Sequence, residues 1–197
     1  MYRFAAITLL ALAACSQPEA AEPPEAESGV RSESAATETV APDAPSSSYE
    51  WTASFDPAGY YLPAANDTAN GWVVDHLFLP AGWMFEQWRQ EGSDPQAVPV
   101  WIEAYPVGVE PQINEQGREY YPDSVRVRPD RLTLADGAFE FAAAGSPMGN
   151  VLISGQIQSE YLQGDAMQPH SEPALVGGME IGGERLRNVS FTHWHGD

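Results

Sequence analysis

Cysteine, positive charge and long apolar runs are all scarce in this chain of 197 residues. The one cysteine, Cys15, excludes an intramolecular disulfide and a cysteine-ligated zinc site, and leaves residues 16–197 without a thiol nucleophile. Lysine is absent, and nine arginines stand against 28 acidic residues for a formal net charge of −19. Such an excess repels nucleic-acid phosphates and anionic lipid head groups, so it excludes nucleic-acid binding and an electrostatic membrane contact. It confers solubility, and the other reading of it is attraction for divalent or basic partners. No apolar run approaches the roughly 20 residues that a membrane-crossing helix needs. Catalytic signatures are missing too. Gly145-Ser146-Pro147-Met148-Gly149 has the wrong spacing for a nucleophile elbow, and Gly177 to Gly183 lacks the Gly-Lys-Ser/Thr of a phosphate loop.

What is present begins at the amino end. Arg3 precedes the apolar run Phe4 to Leu12, which has the length of a signal-peptide core rather than of a membrane span. The run ends in Leu12-Ala13-Ala14-Cys15, and there the sequence resembles the lipobox of bacterial lipoproteins. Small residues before the cysteine suit a peptidase groove, and a thiol is nucleophilic enough to accept a lipid. The resemblance implies a diacylglyceryl thioether on Cys15, cleavage before it, and acylation of the new amine. The partner so implied is a membrane, reached through the acyl anchor. The other reading is an ordinary secretory signal cut nearby, with Cys15 incidental. Ser16 follows Cys15 where an aspartate would mark inner-membrane retention, so the resemblance implies an outer membrane, with the protein facing the periplasm.

Three segments follow from composition. Residues 1–14 read as the lipoprotein signal peptide, 15–49 as a lipidated cysteine and disordered acidic linker, and 50–197 as a single all-β domain. From Ser16 to Glu50 the chain is rich in Pro, Glu, Ala, Ser and Thr and contains no Leu, Ile, Phe or Trp, so it cannot bury enough surface to offset its chain entropy. As a flexible coil it would span about 30–35 Å, enough to stand the domain off a membrane. The domain is of a common size and needs no cross-link to bury a core.

After Tyr49 the pattern changes to short period-two runs. Val100, Ile102 and Ala104 alternate with Trp101, Glu103 and Tyr105, and Val125 and Val127 alternate with Arg126 and Arg128. Phe139 and Phe141 flank Glu140, Val151, Ile153 and Ile157 share a face, and Val189 and Phe191 alternate with polar neighbours. Trp72 to Leu79 is apolar on both sides except at Asp75 and His76, so it predicts a strand covered on both faces. Asp136-Gly137 and Gly182-Gly183 are two-residue hairpin turns. The helical candidates are the segment around Phe85 and Trp88 and one turn at Glu160 to Leu162, both too short to organise a core. The pattern predicts an antiparallel β-sandwich or a small β-barrel of about nine or ten strands, and leaves that choice open.

Candidate sites are few. His193 and His195 are two apart at the chain's end, so on a strand they share a face, and with Asp197 they form a candidate Zn²⁺ or Cu²⁺ site; the other reading is a polar strand end. No cofactor is implied by any motif. Aromatic residues concentrate in the domain, and Trp83, Trp88 and Tyr105 are candidates for a ligand face that stacks on a glycan or small molecule. The plainer reading of such rings is core packing. The functions to weigh are therefore a non-catalytic binding or envelope-structural role, a carrier of a small apolar ligand or glycan, and an envelope hydrolase.

Overall fold

The computed structural model describes residues 47–162 and 171–196. Cys15, the expected linker up to residue 46, His170 and Asp197 lie outside the described residues. Within them the chain is all-β apart from one helix and two single turns of 3₁₀-helix. In chain order the elements are β1 (Ser48–Trp51), β2 (Gly59–Pro63), β3 (Thr68–Ala69), β4 (Trp72–Leu79), α1 (Gly82–Gln90), β5 (Trp101–Pro106) and β6 (Gln112–Ile113). There follow β7 (Glu119–Tyr120), β8 (Val125–Val127), β9 (Arg131–Ala135), β10 (Ala138–Ser146), β11 (Gly149–Ile157), β12 (Pro173–Ile181) and β13 (Glu184–Trp194). Strand β1 begins at Ser48, inside the segment whose composition predicts linker. Its alternation of Tyr49 and Trp51 with Ser48 and Glu50 is hidden by the serine run before it.

One sheet takes up nearly all the strands, in the order β1-β9-β10-β11-β12-β13-β2-β4-β5-β8, with β3 paired to β4. Every pairing is antiparallel except β1 with β9. The sheet curls into a half-barrel, so the structure lies nearer to the barrel of the two expected architectures than to two stacked sheets. Curling has identifiable causes. Gly155 and Gly177 face each other across β11 and β12, and the register shifts between Gly177 and Gly178 on the β12–β13 side. A glycine pair with a bulge beside it lets the strands approach and bend. Asn188 lies in that β13 irregularity with φ 59°, a left-handed conformation that asparagine tolerates better than most residues.

The concave side is filled by one continuous core. Leu132, Leu134, Phe141, Ile153, Leu175 and Phe191 come from successive strands, each buried by the period-two alternation that the sequence displays. Both predicted hairpin turns occur, Asp136-Gly137 joining β9 to β10 and Gly182-Gly183 joining β12 to β13. The Asp136 carboxylate accepts hydrogen bonds from the Ser54 amide at 2.8 Å and its hydroxyl at 3.0 Å, which hold its pKa below the ordinary value.

Helix α1 contributes more than its length suggests. Phe85 stacks on Trp51 at 4.5 Å and Trp88 meets Tyr49 edge-on at 4.9 Å, so the helix packs on β1, the terminal strand of the sheet. Beyond the helix, Val98 and Val100 are buried, and the Val98 carbonyl accepts a hydrogen bond from Arg128, just past the opposite terminal strand β8. The segment from α1 to β5 therefore covers the opening that the unclosed sheet leaves. A short helix is stable here because tertiary burial of Phe85 and Trp88, rather than intrinsic propensity, holds it.

Tyr61 is fully buried in this core and its hydroxyl donates to the Pro57 carbonyl at 2.9 Å. Burial pushes its ionisation well above that of an ordinary tyrosine, with a smaller contribution from Asp56. In the unfolded chain the same phenol loses its proton near pH 10, so above that pH the unfolded state binds fewer protons and stability falls as pH rises. Tyr61→Phe is expected to cost about 1 kcal/mol at neutral pH through the lost hydrogen bond, yet to move alkaline unfolding to higher pH. Far-UV circular dichroism against pH tests this, and an unchanged alkaline midpoint would refute it.

Candidate functional site

The convex face of β13, β2, β4, β5 and β8 carries a row of rings in register. Trp194 lies opposite Tyr60, Tyr60 opposite Phe78, and Phe78 opposite Trp101. Ring centroids are 5.7, 5.1 and 4.1 Å apart along that row, and the Arg126 guanidinium lies 4.6 Å over the Trp101 ring at its far end. Each of the four rings is partly buried, on the opposite side of its strand from core residues such as Tyr61, Leu77 and Ile102, whereas Arg126 is exposed. Cross-strand aromatic pairs are individually worth about 0.2–1 kcal/mol, so the row stiffens this part of the sheet. Arg126 is fixed by Glu103 at 3.0 Å, and Glu103 also accepts from Ser124 at 3.2 Å. The Trp101 indole N–H is buried and has no hydrogen-bond partner among the described residues.

At its other end the row opens into a groove of about 470 Å³ lined by Tyr60, Trp194, Asp75, His76, Arg118 and Glu119, with Leu62 and Gly196 at its margins. Two local features build it. The β4–β5 register shifts between Val74 and His76, a bulge that makes Asp75 the extra residue and sets it beside His76 at the groove. The β6–β7 hairpin, a separate two-stranded ribbon, brings Arg118 and Glu119 to the same groove. His76 Nδ1 lies 2.7 Å from Asp75 Oδ2, and its ring stands edge-on to Tyr60 at 5.2 Å. An ionised carboxylate only accepts, so Nδ1 carries the proton and Nε2 is left as the ring's other polar atom. The groove thus joins an aromatic floor to two carboxylates, a guanidinium and an oriented imidazole.

The sequence candidates are scattered rather than gathered. Trp88 belongs to the core at 7% exposure, with its indole N–H donating to the Asp94 carbonyl at 2.9 Å, so it offers no ligand face. Trp83 is on the solvent side of α1 at 68% exposure, one residue along the chain from Met84, which is also exposed. Tyr105 does lie on the convex face, paired with Val73, and stacks on Tyr121 with centroids 3.6 Å apart and planes 6° from parallel. Its pKa is pushed up to about 12, first by desolvation, then by the Tyr121 hydrogen bond and the charges of Tyr121 and Asp75. The plainer reading, packing, holds for Trp88, and the three residues do not form one face.

His193 and His195 stand with ring centroids 4.7 Å apart, as a shared strand face requires. His193 is the core-facing member, 1% exposed, with Nε2 at 2.9 Å from the Ala58 carbonyl oxygen, whereas His195 is exposed. With Nε2–H donating to that carbonyl, this nitrogen is unavailable to a cation. Among the described residues no three His, Cys, Asp or Glu side chains converge on a cation position, and Asp197 lies outside them.

The expectation that Trp72 to Leu79 is covered on both faces fails on one side, where Asp75 is exposed and His76 and Phe78 are only partly buried, because among the described residues no element packs over the convex face there. Asp75 and His76 are the local sign of that polar side, whereas nothing in the spacing ties Tyr60 to Trp194 or either to Arg118. Among the described residues no helix is long and apolar enough to cross a membrane. No protein-family model, curated protein or solved structure matches the chain, so the reading rests on its own residues.

Proposed function

We propose that the protein is a membrane-anchored bacterial lipoprotein whose β domain has a non-catalytic binding or envelope-structural role. The observation that carries this is Leu12-Ala13-Ala14-Cys15 closing the apolar run Phe4 to Leu12, with an acidic segment poor in large apolar residues behind it. Lipid on Cys15 would hold the domain at an envelope surface, at the outer membrane facing the periplasm given Ser16, while the linker lets it reach away. Core residues fill the concave side of the half-barrel, which favours binding on the convex face over the carrier reading that needs an interior cavity.

Intact mass spectrometry of native protein extracted from membranes tests the proposal. The expected mass corresponds to a chain starting at Cys15 and bearing a diacylglyceryl group with a further acyl chain. An unprocessed start, a cut elsewhere or a bare Cys15 thiol would overturn it.

A further inference from the structure

We propose that the convex-face groove between Tyr60 and Trp194 is a binding site for a saccharide. The inference rests on the binding role proposed above and names its ligand class. A pyranose ring has apolar C–H faces and a rim of hydroxyls, so a site for it needs a flat aromatic floor edged by both acceptors and donors. The groove has that composition. Tyr60 and Trp194, from adjacent strands, have ring centroids 5.7 Å apart and planes inclined by 38°, and both line the groove. Phe78 and His76 pack against Tyr60 and hold the floor in place before any ligand arrives, which lowers the ordering cost of binding.

The rim supplies both hydrogen-bonding senses. Asp75 and Glu119 accept, the guanidinium of Arg118 is a donor group, and Nε2 of His76 completes the set. Other ligand classes fit less well. Two carboxylates beside one guanidinium, in a chain of net charge −19, oppose an anion such as phosphate. An apolar ligand would desolvate Asp75 and Glu119 with nothing to replace their water. A neutral polyhydroxylated ligand satisfies both carboxylates and covers the rings. The volume of about 470 Å³ is within the range of small-ligand sites.

The test uses the full mature lipoprotein, ¹⁵N-labelled and solubilised in a detergent without a sugar head group, titrated with cellotriose, maltotriose and chitotriose. At least one trisaccharide is expected to shift the resonances of Tyr60, His76 and Trp194 with a millimolar or tighter dissociation constant. Asp75→Asn should weaken that binding about tenfold with an unchanged melting curve, and Trp83→Ala, on the far side of α1 from its buried face, should leave it unaltered. No shift with any of the three, shifts centred elsewhere, or equal affinity of Asp75→Asn and the parent protein would overturn the inference. New reducing ends appearing during the titration would uphold the ligand class and overturn the non-catalytic role. A bare Cys15 would strike only the anchor, so the separate claims fail separately.

Discussion

Replacing Cys15 by alanine is expected to move the protein from the membrane fraction to the soluble fraction and to abolish uptake of labelled lipid precursor. The effect is large because the proposed attachment depends on acyl chains alone. Each buried methylene is worth about 0.8 kcal/mol, a single myristoyl chain gives a membrane affinity of only about 10⁴ M⁻¹, and a second chain makes the attachment stable. Nothing else in the chain supplies comparable attraction. Residues 16–197 carry the acidic excess and are repelled by anionic head groups, and Phe4 to Leu12 is too short to span a bilayer. Membrane partition should therefore fall from nearly complete to background. Fractionation by flotation, with lipid labelling in parallel, decides the matter: a Cys15→Ala protein still labelled and still floating would end the lipoprotein reading.

Gly177→Ala is expected to destabilise the domain by about 3 kcal/mol or more, the upper range for overpacking because backbone rather than a side-chain end is in the way. An ideal Cβ at Gly177 would stand 2.6 Å from the Gly155 Cα and 2.8 Å from the Ser154 carbonyl carbon, and in contact with the Ser154 oxygen itself. A Cβ on Gly155 meets the Val176 carbonyl in the same way, so neither strand has room for a methyl group unless the pair moves apart. Separation would straighten the bend at the centre of the sheet. Gly178 is the control one residue away, where the nearest obstacle is the Leu186 carbonyl oxygen at 3.4 Å, an ordinary contact. Gly178→Ala should stay within about 0.5 kcal/mol of the parent protein. Thermal melts will separate the two, with a fall on the order of 10 °C for Gly177→Ala. A loss smaller than about 1 kcal/mol would mean that the half-barrel does not depend on this close approach.

The glycines of β12 also show how far a sequence can be read. Their composition excludes a phosphate loop, and the plain expectation of glycines in β hairpins is met at Gly182-Gly183. That Gly177 must be glycine depends on a partner 22 positions earlier, and no local pattern displays that pairing. The same division runs through the candidate site. His193 and His195 share a face because strand periodicity is local, and the structure has them adjacent. Trp88 and Tyr60 are equally aromatic in the sequence, yet one is core and the other forms a groove floor, because α1 docks on β1 while β2 lies between β13 and β4.

The sequence by itself determined the strand character, the two hairpin turns, the core-facing sides of the main strands and the expectation of a lipid anchor, because period, turn chemistry and a short processing motif all act over a few residues. Only the tertiary structure decided that one sheet curls instead of two sheets stacking, that α1 covers its open side, and that Tyr60, Asp75, Arg118 and Trp194 meet. Those outcomes depend on pairing order and register between distant segments, which are set by the free energy of the whole packed domain and leave no periodic trace in the chain.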